Sequence, residues 1–374
     1  MHTWNDEQTG RRIRQLTAIP EGARVPYFRM PRHLPDGRIL IGDKQGQGAM
    51  AAVDVESGDI RLIPPQRGSL VKWRERDGRA WYYDKETREV LECTFPDGEG
   101  TVIGRLNSSV QGDVHDITCD GRTLIGADCQ CEPTDTGGLS SGDYRLLWRW
   151  IYRKRSAVIW SYDLLENRYT ELLQMPDYNL THADTSPEDP GFFKFAQDGV
   201  AIYDQRAFAM NVDGTGWRKI RPQEPGEWVH HEFWWPGAQY IGYKYLDRRG
   251  DDTTHLLPWG EYAPRPLHLG IANLAGDEVY LSDPLDHYQS HLNVSPDGHF
   301  VTGEGTHDHS IVSVAPFDMA STKIDFHPMA TIHTPYVPAA AQGVETCVTK
   351  DARWVVYNDT VDGIIQVCAT ALEL

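Results

Sequence analysis

A short turn followed by an apolar strand recurs seven times along these 374 residues, and this recurrence limits the fold more than any other feature. The copies read LPDGRILIGD (34–43), ERDGRAWYYD (75–84), TCDGRTLIGA (118–127), SPEDPGFFKFA (186–196), WPGAQYIGYK (235–244), SPDGHFVTGE (295–304) and TKDARWVVYN (349–358). Each sets Pro, Asp or Gly at a tight turn and then a run rich in β-branched and aromatic residues. After most copies comes a second strand pair around a polar hairpin, as in AVDVESGDIRLI, YDKETREVLECTF, SYDLLENRYTELL, AMNVDGTGWRKI and IANLAGDEVYLS. One unit therefore holds about four strands, the content of a propeller blade. The residue after the turn-proline position falls at Asp36, Asp77, Asp120, Glu188, Gly237, Asp297 and Asp351, an interval expected of blades with insertions.

Seven units fill the chain. They predict an all-β, seven-bladed β-propeller forming a single domain over 1–374, against the two or three domains that length alone suggests. A pair of β-sandwiches with similar turns is the competing architecture, and it accounts less well for the even tiling. The N-terminal GRRIRQLT lies outside the units and is expected to pair with VDGIIQVCATAL, closing the ring and removing an exposed edge.

Two insertions, at about 130–157 and at 246–268, break the regularity. In the first, Arg145, Arg149 and Arg153 are spaced to share a helical face. That face reads either as an anion-attracting lid that binds substrate or as the solvated side of an amphipathic helix packed by Leu146, Trp148 and Trp150. The second is polar and Pro-rich and reads as a surface loop.

Composition narrows the function. Hydrophobic residues make up 40%, enough for a packed core, and 36 basic against 54 acidic residues leave a formal charge of −18. Such a chain is a poor nucleic-acid binder, and an acidic substrate needs a local cationic or metal-bearing pocket. No apolar run suits a membrane span and the opening residues lack a signal-peptide core, so a soluble, cytoplasmic protein is expected. The six cysteines are too few and too irregular for a disulfide framework, and Cys129 and Cys131, without a second pair, do not read as a zinc site.

Five residues before each turn-proline position stand Met30, Val71, Val114, His182, His231, His291 and Glu345. Equivalent positions of inner strands lie at equivalent heights in a propeller, so four neighbouring blades would offer three imidazoles and a carboxylate at one level. A lone strand histidine is usually structural. Four such groups in register read as a site for a divalent ion such as Mn, Zn or Ca. Gln342 could add an amide oxygen. Cys347 reads as a small buried hydrophobe, His307 and His309 as solvated, and His230, one residue out of register, as facing away from the channel.

The chain resembles the oligogalacturonate lyases, seven-bladed propeller polysaccharide lyases acting on short pectin fragments. The resemblance spans nearly the whole sequence, through TWNDEQTGRRIRQLT, YFRMPRHLPDGRILIG, THADTSPEDPGFFKF, DQRAFAMNVDGTGWRKI, HHEFWWPGAQYIGY and SHLNVSPDG. Its most specific element is D-Q-R followed about 25 residues later by H-E-F-W; the SPDG turns alone speak only for a propeller. The resemblance implies a Mn-type ion held by histidines and a glutamine, a histidine base, and an arginine near the acidic hydrogen. Carried over, His231 matches the base, Arg206 the arginine and His291 a metal histidine. Gln342 and Glu345 fall where the family's final-blade glutamine and paired histidines sit, but that segment reads AQGVETCV, without histidine. The family's acidic, histidine-containing segment after the fourth inner strand reads AQDGV here. His182 is left as a metal or substrate contact.

The implied activity is β-elimination on short uronate-containing oligosaccharides. Removing a uronate C5 proton places charge next to an anionic carboxylate, so a cation offsets the enediolate while a neutral histidine takes the proton. Loss of the C4 oxygen then gives a 4,5-unsaturated uronate. Other readings stay open: Arg206 as an ion pair with Asp204 or Asp213, a lyase or isomerase acting on a different sugar acid, and a non-catalytic propeller serving as an interaction platform, with oligomeric state undecided.

Overall fold

The computed structural model describes residues 2–27, 29–42, 49–131, 155–176, 180–197, 205–247, 249, 266–305, 310–334 and 343–374. These residues contain no α-helix, and their strands form seven antiparallel sheets in chain order. The first holds β3 (Ile39–Gly42), β4 (Ala49–Val53) and β5 (Ile60–Leu62); the second β6 (Ser69–Trp73), β7 (Arg79–Asp84), β8 (Glu89–Thr94) and β9 (Thr101–Arg105). The third is β10 (Asp113–Ile117), β11 (Thr123–Cys131), β12 (Arg155–Asp163) and β13 (Arg168–Pro176). The fourth is β14 (Leu180–Thr185), β15 (Phe192–Gln197), β16 (Ala207–Asn211) and β17 (Arg218–Lys219). The fifth is β18 (Glu227–Trp234), β19 (Tyr240–Asp247), β20 (Leu267–Asn273) and β21 (Glu278–Leu281), and the sixth β22 (Leu292–Val294), β23 (Phe300–Glu304), β24 (Ile311–Pro316) and β25 (His327–Thr331).

The last sheet joins the chain ends. Its order is β1 (His2–Asn5), β2 (Arg12–Gln15), β28 (Ile364–Ala371), β27 (Trp354–Val361), β26 (Cys347–Val348), with Ile13 paired to Thr370 and Gln15 to Cys368. The chain is all-β with seven blades, the β-propeller class expected from the repeat, and its N-terminal strand completes the final blade. In the first sheet the strand before the repeated turn shrinks to one bridge, His33 to Ile39.

The repeated turn has a local cause. Thr118 donates its hydroxyl to Asp120 at 2.6 Å, and the same carboxylate accepts the Arg122 N–H at 3.1 Å. Thr349 with Asp351 and Ser295 with Asp297 repeat the arrangement. Such side-chain bonds replace backbone partners in a tight reversal and favour a left-handed residue next. Gly121 and Gly298 supply it, both at φ 79°, whereas Ala352 is driven to 53°.

The chain divides into two compact units, one carrying β1–β8, most of β9 and β22–β28, the other β10–β21. In the first, Ile41 and Val53 pack with Val356 and Val367, Leu40 and Ala52 with Trp73 and Tyr82, and Val312 and Val314 with Val355 and Tyr357. In the second, Ile125 and Ile159 meet Phe193 and Phe208, while Ala209 and Ile220 meet Ile241 and Tyr243. Each core thus lies between the faces of consecutive blades, where a buried large apolar side chain contributes about 1.5–3 kcal/mol.

Of the first insertion, Arg155, Ser156 and Ala157 belong to strand β12, the extended structure that their pairing with β11 imposes. Residues 132–154, with Arg145, Arg149 and Arg153, lie outside the described residues, as do 248 and 250–265 of the second. Among the described residues no helix is long and apolar enough to cross a membrane.

Candidate functional site

The register that groups His182, His231, His291 and Glu345 is also where inner strands lose regularity. Pairing shifts between Leu70 and Lys72, Val114 and Asp116, Thr181 and Asp184, and His230 and Phe233. A bulge re-aims side chains and commonly stands beside a functional site. Three of the four polar register residues occupy the left-handed region: His182 at φ 52°, His231 at 53° and Glu345 at 55°. Each such placement costs about 1–3 kcal/mol for a residue with a side chain, so the surrounding sheet must impose it.

In the first unit, His291, Glu304 and Glu345 each offer a ligand atom, all within 4.8 Å of one another. His291 Nδ1 lies 3.2 Å from Glu304 and 3.8 Å from Glu345. Glu304, at the end of β23, is fully buried and accepts the backbone N–H groups of Val344 and Glu345, each at 2.9 Å. Burial by itself would raise its pKa, but His291, the Val344 N–H and Arg32 together hold it below the ordinary carboxylate value. Glu345 accepts Arg32 Nη2 at 2.8 Å, and Arg32 also donates to the carbonyls of Pro26 and Thr346. The Tyr27 ring meets the His291 ring edge-on at 5.5 Å.

Gly343 closes the cluster from the backbone side. A Cβ built there would fall 2.1 Å from Glu345 Oε1 and 3.0 Å from His291 Cε1. One imidazole and two carboxylates, offset by one guanidinium, leave a net negative charge and donors suited to a hard or borderline divalent cation. The donor set fits such an ion. Cys347 nearby is buried, and burial pushes its thiol up to about 11, away from ready thiolate ligation.

The second unit holds His182, His231 and Arg206. Arg206 is fully buried and donates Nε–H to Glu232 at 2.9 Å, and its Nη1 donates to the Gln197 carbonyl. His182 Nδ1 lies 3.4 Å from the same Glu232, and Lys194 donates to the Glu232 carbonyl at 3.2 Å. Burial would raise the Glu232 pKa, yet Arg206, His182 and Lys194 hold it well below the carboxylate range. Among the described residues Arg206 thus forms an ion pair with Glu232, the residue after His231. Asp213 is bound to Thr215, and Asp204 lies outside the described residues.

His230 departs from simple alternation. The bulge brings its ring to 5.6 Å from that of His231 and 4.3 Å from that of Trp228, and Lys244 stands opposite it on β19. Burial first, then the positive field of Arg206 and Lys244, lowers its pKa well below the ordinary imidazole value, so it shares an electrostatic neighbourhood with Arg206, Glu232 and His182.

The structure thus brings His291 and Glu345 together in one unit, and ties Arg206 and His182 to Glu232 in the other. Gln342, His307 and His309 lie outside the described residues. Sequence reasoning missed Glu304, Glu232 and Arg32. The available signal was a charged residue inside an apolar strand, in FVTGE and in HHEFWW, since such groups are rarely enclosed unless paired.

No protein-family model matches this chain. It is 23% identical over 312 residues to an oligogalacturonide lyase of Pectobacterium atrosepticum, covering 82% of this chain and 75% of that protein. It is also 23% identical over 248 residues to an oligogalacturonate lyase of Dickeya dadantii, covering 65% of this chain and 63% of that protein. Among solved structures, an oligogalacturonate lyase in complex with manganese superposes with a TM-score of 0.74 at 19% identity, covering 100% of this chain and 96% of that one. An oligogalacturonate lyase from Vibrio parahaemolyticus gives the same TM-score and coverage at 16% identity. The chain therefore resembles the oligogalacturonate lyases in sequence along most of its length and shares their fold.

Proposed function

We propose that this chain is a carbon–oxygen lyase cleaving short uronate-containing oligosaccharides, oligogalacturonate-like, by metal-assisted β-elimination to a 4,5-unsaturated uronate. The observation that carries the reading is the convergence of His291, Glu304 and Glu345 within 4.8 Å. His291 and Glu345 stand where the resemblance puts metal ligands.

His291 and Glu345 would hold the ion, with Glu304 beside them; Gln342 stays a proposed ligand and His182 a proposed metal or substrate contact. Two carboxylates and one imidazole suit Mn or Ca better than Zn. When bound, a divalent cation supplies Lewis-acid stabilisation to a carboxylate whose charge grows as the neighbouring proton leaves. His231 accepts the C5 proton, a task for a neutral imidazole near pH 7. Arg206, committed to Glu232, contributes field beside the strand that carries His231 and fixes that strand's next residue. Arg145, Arg149 and Arg153 stay proposed contacts to an acidic chain. The compartment proposed is the cytoplasm.

The test is the His231→Ala variant with an oligogalacturonide. It is expected to keep its circular dichroism spectrum and lose the ultraviolet absorbance of the conjugated alkene product. Retained activity removes His231 as the base.

A second reading, elimination or isomerisation on another sugar acid, is favoured by Glu345 standing where the family has histidine. A panel of uronides scored for unsaturated product separates the two. A purified protein without any divalent ion and without turnover would favour a non-catalytic platform.

A further inference from the structure

Glu232 has no surface in solvent, so it can act only through its neighbours. Its Oε2 accepts Arg206 Nε–H at 2.9 Å, and its Oε1 faces His182 Nδ1 at 3.4 Å. Its main chain is fastened too, because Lys194 donates both to its carbonyl and to Asp184. His182 and Asp184 stand on β14 where the pairing with β15 slips, and His182 is held there at φ 52°. The His182 side chain is a quarter exposed while its carboxylate partner is enclosed. The ring therefore reaches from a buried anchor toward solvent.

A carboxylate paired with a guanidinium has no proton to give and can only accept. His182 Nδ1 must then carry the hydrogen, which leaves the lone pair of the neutral ring on Nε2. In this tautomer Nε2 takes a hydrogen bond or a proton; in the other it can only give one. We propose that Glu232 is a positioning residue that sets the tautomer of His182, so that Nε2 meets the substrate as an acceptor. The proposal rests on the lyase reading above, with His182 as its substrate contact.

Glu232→Gln tests this with little change of shape. Arg206 offers only donors, so the new amide oxygen must turn to it and the amide nitrogen to His182. Nδ1 then has to accept, and the hydrogen moves to Nε2, the same loss of tautomer that silences a catalytic histidine when its aspartate becomes asparagine. Nitrogen-15 NMR of the metal-free protein at about pH 8, above the ordinary imidazole range, reads the ring directly. The His182 resonances are identified by their loss in His182→Gln. Wild type and Glu232→Asp are expected to show Nδ1–H, and Glu232→Gln to show Nε2–H. On an oligogalacturonide with Mn, Glu232→Gln should lower kcat/KM roughly tenfold or more, and Glu232→Asp should recover part of the loss. A packing role would lower stability without inverting the ring. An Nε2–H ring in wild type, or a folded Glu232→Gln with either its tautomer or its kcat/KM unchanged, overturns the proposal. If Glu232→Gln does not fold, the other two spectra decide: Nδ1–H in both sustains the proposal and Nε2–H in either overturns it. If wild type forms no unsaturated product from any uronide, the lyase reading fails, and the spectra still decide whether Glu232 governs the ring.

Discussion

Arg32 and Glu345 form a buried ion pair at 2.8 Å, and the other oxygen of that carboxylate lies 3.8 Å from His291 Nδ1. One carboxylate thus answers to a resident cation on one side and to the candidate metal ligand on the other. Removing one partner of a buried pair typically costs about 3–5 kcal/mol because a charge is left uncompensated. Arg32→Met is expected to lose about that much stability in the presence of a chelator. Added Mn should restore part of it, by supplying the missing positive charge and by binding only the folded state. Urea unfolding with and without metal checks this, and equal losses under both conditions would argue against a cation site at Glu345.

Gly343→Ala tests the cluster without changing its charge. The new methyl group would press on the Glu345 carboxylate at 2.1 Å and on His291 at 3.0 Å. Overpacking of this kind costs about 1–3 kcal/mol. The expected outcome is a folded protein whose calorimetric affinity for Mn has dropped at least tenfold. Wild-type affinity would mean that the cluster binds no ion or yields easily.

Stability should fall in two stages as the pH drops. His230 has a lowered native pKa, so below its ordinary value of 6.5 the unfolded chain takes up a proton that the native site refuses, and the native state loses ground. Glu232 is also held low, so its contribution is complete above the ordinary 4.5 and is lost as the pH falls beneath it. His230→Gln is expected to flatten the first stage and leave the second. Urea midpoints measured across the acid range would reveal either change.

Ala352 offers a stabilising substitution. It occupies at φ 53° the turn position that Gly121 and Gly298 fill elsewhere. Release of left-handed strain is worth about 1–2 kcal/mol, and the added freedom of an unfolded glycine takes back about 0.5–1. Ala352→Gly should therefore stabilise the fold by up to about 1.5 kcal/mol, seen as a raised unfolding midpoint, and a lowered midpoint would count against this account of the turn.

The blades were legible because their turns are written in short-range chemistry. Thr118 with Asp120 and Thr349 with Asp351 need only neighbours along the chain, so the pattern survives in the sequence. His291 and Glu345 could be grouped by counting back from those turns. Glu304 could not, since it reaches the cluster from the second strand of its blade, outside the counted register. The electrostatic neighbourhood of His230 is not legible either, because strict alternation fails at a bulge and an inserted residue leaves no mark in the order of polar and apolar side chains. The pairing of Arg206 with Glu232 is not legible, since Glu232 is 26 positions away in the next blade.

The pairing of β2 with β28 also bears on how the molecule is made. The Thr370 hydroxyl reaches the Arg12 carbonyl across a separation of 358 residues, so a growing chain cannot seat β2 until β28 has left the ribosome. Until then Ile13 and Leu16, buried at the end, stay available to chaperones and to neighbouring nascent chains. Yield in a cell should accordingly depend on how long this unfinished seam waits, and slowing translation should lower it.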